Sequence, residues 1–221
     1  MLNGKVIVVT GANGALGRAV VEVATGYGAT VIGFDLVFAS GGGEQEIIVD
    51  LANIGAVKTA VDNLDRIDGL FNIAGGFAMG PAVHETQASE WEAMFAMNFA
   101  TTRNMCEAVT PKMLGQGGGK IVNVGALSAT EGQGNMGAYC VSKSAVMRLT
   151  ESMAKELRHQ GINVNAVLPN IIDTPTNRAD MPDANHAQWV SPTALGQIIC
   201  FLGSDAAQAL NGTLIPVVGL S

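Results

Sequence analysis

The chain has 221 residues, of which 48% are hydrophobic and only 14% charged; its formal net charge is −7 and its sequence pI about 4.8. This balance excludes a disordered chain and argues against nucleic acid as the main partner; the acidity reads as a solvated surface. The length fits one large α/β domain better than two small ones.

The first residues, "MLNGKVIVVTGANG", have a single Lys before a short apolar run, which does not read as a secretory signal. No apolar segment reaches the length needed to span a membrane. Cys106, Cys140 and Cys200 are odd in number and widely spaced. Buried free thiols in a reducing cytoplasm are expected from them, not disulfides or a metal site. His84, His159 and His186 are equally scattered, and no metal-ligand set is expected.

Taken in chain order, short β-branched runs alternate with stretches of helical length. The predicted strands are 5–10, 30–35, 46–51, 69–74, 120–125, 163–169 and 213–218, each nearly continuous in apolar character. That is the pattern of strands buried on both faces of a parallel sheet. Between them, helices are predicted over 15–27, 53–64, 87–115, 137–160 and 192–203. The alternation predicts an α/β fold, a Rossmann-type doubly wound parallel sheet of about seven strands in a single domain. Two stretches resist assignment. Residues 39–45, "ASGGGEQ", read as a glycine-rich surface turn, and 170–192 as a long polar loop with Met181 and Trp189 embedded. The second follows the sixth strand, at the edge where open α/β sheets bind ligands, and is expected to be a substrate lid.

Gly11, Gly14 and Gly17 directly follow the first strand and open a helix. Glycines there permit a tight turn and close approach of backbone to a pyrophosphate held at the helix N-terminus. Asp35, eighteen residues beyond Gly17, closes the second strand, where a carboxylate binds the adenosine ribose hydroxyls. An acid there repels a 2′-phosphate, so NADH is expected to be preferred, with NADPH possible. Arg18 would argue otherwise unless it faces solvent. Asp50, closing "IIVD", either caps the next helix or binds the adenine amino group.

Further on, "NVGALSATEGQGNMGAYCVSK" (123–143) ends in Tyr139 and Lys143, four positions apart and so on one face of a helix. Such a pair suits proton donation, with the ammonium lowering the phenol's pKa. A carbonyl-reducing site also wants a fixed hydroxyl for the substrate oxygen, and both Ala126 and Ser128 lie upstream.

With "TGANGALG", Asp35, "VDL", "NIAG" (72–75), "MN" with Asn98, "YCVSK" and "LPN" followed by Asp173–Thr174, the chain resembles the short-chain dehydrogenase/reductase family over its whole length. The resemblance implies that Tyr139 is the proton donor, that Lys143 binds the nicotinamide ribose and lowers the tyrosine pKa, and that Asn98 holds a water in a proton relay. A local cap or helix kink is the other reading of Asn98. The cofactor set it implies is Gly11, Asn13, Gly14, Leu16, Gly17, Asp35, Asp50, Leu51, Asn72, Ala74, Gly75, Tyr139, Lys143, Pro169, Ile172 and Thr174. It also implies a homodimer or homotetramer through helices 99–115 and 137–160. Met105, Val109, Val146 and Met153 would serve that interface or face the sheet.

Two departures stand out. The family's usual serine, thirteen positions before the tyrosine, is Ala126 here, and the common glycine at position 15 is replaced by Gly14. Both resemble the dihydropteridine reductase branch, which is similar in "GALG", "AGGFAMGP", the "LPNIIDTPTNRADMPDANHAQWVSP" loop and "LIPVV". That likeness implies a substrate site with Phe77, Ala126, Met181 and Trp189, Phe77 being either a stacking surface for a flat ring or a core aromatic. The alternatives are a ketone or 3-oxoacyl reductase, or a secondary alcohol dehydrogenase, of the same family with Ser128 in the serine role. A non-catalytic NAD-binding module is the third.

Overall fold

In a computed structural model, which describes residues 1–39 and 41–220, the apolar runs become seven strands. These are β1 (Val6–Thr10), β2 (Thr30–Asp35), β3 (Glu46–Ile48), β4 (Gly69–Asn72), β5 (Gly119–Val124), β6 (Ile162–Pro169) and β7 (Leu214–Val217). All pair in parallel, in the order β3-β2-β1-β4-β5-β6-β7. The order reverses between β1 and β4, which opens a crevice at the carboxyl ends of these two strands. All four residues of β4 are buried, as are the last four of β1. Such strands carry continuous apolar runs because helices cover both faces.

The helices are α1 (Ala15–Gly26), α2 (Ile54–Asp62), α3 (Ala88–Met94), α4 (Thr101–Gly115), α5 (Gly137–Leu157), α6 (Pro175–Asp180) and α7 (Pro192–Leu202). On one face, α1 and α7 pack Val20, Ala24, Leu195 and Ile199 against the sheet. On the other, α2, α4 and α5 bury Val57, Val61, Val109, Met113 and Leu157. Met105, Val109, Val146 and Met153 are all buried within the chain, which resolves their reading in favour of the core. The three cysteines are free and buried. Among the described residues, no helix is long and apolar enough to cross a membrane.

Two predicted elements change form. The helix expected over 87–115 is divided by a π-helical turn, Phe95–Ala100, between α3 and α4. Behind it, Thr101 and Thr102 donate their hydroxyls to the carbonyls of Met97 and Asn98. The expected loop 170–192 contains α6, which starts at a Thr174 cap with Pro175 in its first turn. That pairing is a helix-start signal, overridden in the sequence reading by the polar composition around it. The segment is folded back by a bridge from Ile172 to Val190 and by the Asp173 amide on the Val190 carbonyl. Within the expected turn 39–45, Gly43 forms an isolated bridge with Glu46; Ser40 lies outside the described residues.

The crevice is held open where Gly11 and Gly17 leave its floor without side chains. A Cβ on Gly17 would sit 1.9 Å from the Gly11 carbonyl oxygen, and one on Gly11, at φ +62°, would meet the Ala74 backbone at 2.9 Å. Thr10 completes the floor: its hydroxyl accepts from the amides of Ile73 and Ala74, both at 3.0 Å, tying β4's exit to β1. Backbone atoms cannot swing aside as a side chain does. Gly17→Ala is therefore expected to cost about 1–3 kcal/mol of stability in urea unfolding.

Candidate functional site

The dinucleotide end is built from the first two strands. Gly14 forms the N-cap of α1 and offers no side-chain bond, and the first turn holds no acid, so the helix's leading amides remain open to an anion. At the tip of β2, the Asp35 carboxylate accepts from the Asn13 amide at 2.9 Å and the Leu36 amide at 2.7 Å, locking the glycine turn to the strand. Asn13 returns the tie by donating its side-chain amide to the Val37 carbonyl at 3.0 Å. Arg18 is exposed and donates to the Asn13 carbonyl. Asp50 does not cap α2: that role falls to Asn53, whose side chain accepts from the Ala56 amide. Asp50 accepts from the Ala52 amide at 2.9 Å and lines the crevice.

These groups border a cavity of about 910 Å³ that holds Gly11, Asn13, Gly14, Leu16, Gly17, Asp35, Asp50, Leu51, Ala74, Gly75 and Thr174 on its walls. It continues into a second of about 780 Å³ lined by Ser128, Tyr139, Lys143, Pro169, Ile172 and Met181. Leu16, Gly75 and Phe77 belong to both. A bare-backbone cradle at a helix N-terminus, with an acid at the end of the second strand, fits a dinucleotide.

At the far end, Tyr139 and Lys143 stand one turn apart on α5. Lys143 is 5% exposed, and its ammonium donates to the Val124 carbonyl at 2.9 Å. Burial pulls its pKa down to about 8. The Tyr139 phenol is pushed the other way, up to about 12, chiefly by burial and further by the neighbouring Cys140 thiol. The expected lowering of the phenol by the ammonium is not seen: both influences on the phenol raise it, and the ammonium is turned to the Val124 carbonyl at β5's end. Phe77 meets the Tyr139 ring edge-on, with centroids 4.9 Å apart and planes at 83°. At 54% exposure Phe77 is no core aromatic.

Four residues singled out from the sequence do not reach the cavity walls. Asn72 lies beneath the floor, donating to Asn123 at 2.9 Å within the buried sheet. Asn98, in the π-turn, is fully buried; its oxygen accepts from the Gly76 amide at 2.9 Å. Ala126 is 3% exposed and packs with Ala129, Cys140, Met147 and Leu168. Trp189 is buried against the His186 ring, 4.4 Å away between centroids, so its indole is withdrawn from the substrate end.

Sequence reasoning missed Ser142. It accepts from the Asn98 side-chain amide at 3.1 Å and donates to the Tyr139 carbonyl at 2.8 Å, joining the π-turn to α5. Its place three residues after Tyr139 was the available signal. Asp180, Met79 and Met136 also line the reacting end and were not anticipated.

Two outcomes follow from this burial. In the window between about 8 and the ordinary 10.5, the unfolded chain binds more protons at Lys143 than the folded one, so folded stability rises with pH there. Lys143→Met removes that rise, and urea unfolding across pH 7.5 to 10.5 should show wild type gaining stability relative to the variant as pH increases. Ser142→Ala strands the Asn98 amide donor and should cost about 1–3 kcal/mol in the same assay.

Comparison with known proteins accords with this geometry. The model of the short chain dehydrogenase family matches residues 49–185. A D-threitol dehydrogenase of Mycolicibacterium smegmatis is 31% identical, over 99% of this chain and 93% of that protein. A 3-oxoacyl-acyl-carrier-protein reductase of Vibrio harveyi is 30% identical, over 99% and 97%. Among solved structures, a Beutenbergia cavernae protein with NADP bound at low occupancy has a TM-score of 0.88 at 29% identity, over 99% of this chain and 96% of that one. With the sheet, the glycine cradle and the Tyr139–Lys143 pair, these matches establish that the chain belongs to the short-chain dehydrogenase family of oxidoreductases.

Proposed function

We propose that the protein is an NADH-dependent reductase of a flat, conjugated ring, of the quinonoid dihydropteridine kind. The observation that carries this reading is Ala126: the position thirteen residues before Tyr139 holds a buried methyl group in place of a hydroxyl. Reducing a ketone concentrates charge on one oxygen, where each preorganised donor is worth about 3–4 kcal/mol. A quinonoid ring spreads that charge over several heteroatoms, so a missing local donor matters less. The walls at the reacting end, with Phe77, Met79, Met136 and Met181, suit a flat apolar body.

Bound NADH supplies the hydride. Tyr139 gives the proton; with its phenol held near 12 it stays protonated across the neutral range. Lys143 and the Gly75–Gly76 backbone, which Asn98 braces, would hold the nicotinamide end of the cofactor. Asp35 favours NADH by repelling a 2′-phosphate. The segment 170–192 closes over the substrate as a lid.

A second reading is reduction of a ketone, as in the 3-oxoacyl and polyol relatives. It is favoured by Ser128, whose residue lines the cavity two positions after Ala126. The two part on NADH oxidation with quinonoid dihydropterin and with acetoacetyl thioester. On the ring reading, the pterin is the better substrate, Ser128→Ala changes its turnover little, and Tyr139→Phe lowers it by at least about 100-fold. Thioester reduction abolished by Ser128→Ala, with no pterin turnover above the Tyr139→Phe level, would establish the second reading.

A further inference from the structure

Asp180, the last residue of α6, borders both the dinucleotide half and the reacting half of the crevice. Most polar side chains near it hold their own segment in shape. Thr174 caps α6, Asn177 donates to the Ile172 carbonyl at 2.8 Å, and Arg178 grips the Asp173 carboxylate through two nitrogens. The His186 ring bonds the Met181 carbonyl at 2.8 Å. The Asp180 carboxylate makes no hydrogen bond or ion pair with any described residue. It is the one acid among the described residues that line the reacting half, where Lys143 is the one base.

An ionised carboxylate accepts hydrogen bonds and donates none, and it holds paired N–H groups best when they lie in one plane. Exposed at the rim of a cavity that Phe77, Met79 and Met181 also line, it gives a flat ring one charged edge to meet and offers nothing to an anion. A polyol would need several such polar partners, and the walls here are mostly apolar. We propose that Asp180 is a specificity-determining residue that accepts hydrogen bonds from ring N–H groups, selecting N–H-bearing heterocycles over ring acceptors without N–H groups and over anionic substrates. This inference rests on the ring-reductase reading above.

The test compares wild type, Asp180→Ala and Asp180→Asn with NADH and two flat acceptors, quinonoid dihydropterin and 1,2-naphthoquinone, the second having no N–H group. The quantity read is the ratio of kcat/KM for the pterin to that for the quinone. Asp180→Ala should lower this ratio by about tenfold or more through the pterin KM, with kcat moving less. Asp180→Asn, which keeps an oxygen acceptor without its charge, should fall between. A ratio unchanged in both variants, or KM values rising alike for both acceptors, overturns the proposal and leaves the ring reading standing. A wild type that reduces the thioester but neither ring overturns both.

Discussion

One buried ammonium organises the reacting end of this fold. Lys143 is taken almost wholly out of water and given a single backbone carbonyl, that of Val124 at the end of β5. Such a charge is tolerable only where the surroundings are fixed around it. Every neighbour is fixed accordingly. Gly75 must lack a side chain, since a Cβ there would lie 3.1 Å from the ammonium nitrogen and 2.7 Å from the Asn98 oxygen. Asn98 in turn is oriented at both ends of its amide, by Gly76 and by Ser142, and Ser142 hangs from the Tyr139 carbonyl. The β4 exit, the π-turn, the end of β5 and α5 thus meet at one charge.

The dinucleotide end works by the opposite means. There the backbone is brought so close to itself that only glycine fits, and the polar groups left over point into the crevice. Asp35 acts on both sides of that boundary. It secures the glycine turn through the Asn13 and Leu36 amides while lining the cavity. Anchoring costs the carboxylate little, because two oxygens offer about four acceptor directions.

Much of this was legible in the sequence. The seven runs, their alternation with helices and the Gly11–Gly17 turn led to the parallel sheet, because strands covered on both faces have no polar side to obscure their period. Tyr139, Lys143 and Asp35, singled out by motif position, line the cavity, and so does Ser128, two residues off the spacing that points to Ala126. What escaped was decided by side-chain direction after long-range packing. Met181 and Trp189 look alike in the sequence of the 170–192 segment, yet one lines the crevice and the other turns to His186. Ala126 shows the same limit: its spacing marks a site position, while its environment, with Cys140 and Leu168, is plain core. The opposed shifts of Tyr139 and Lys143 were also hidden, because burial, not pairing, controls them.

The π-turn in the middle of the 88–115 helical stretch has a consequence for how that stretch can be written in amino acids. Met94, Asn98, Thr102 and Cys106 are all buried, and they recur every four residues. In a plain α-helix of 3.6 residues per turn, each such step would slip by about 40° around the axis, so the fourth would face well away from the first. The wider turn at Phe95–Ala100 takes up the slip and keeps the row on one side. A four-residue beat therefore persists where 3.6 is the natural rhythm, and it is this offset that lets one row start at Met94, pass Asn98 and run into the hydrophobic core at Cys106.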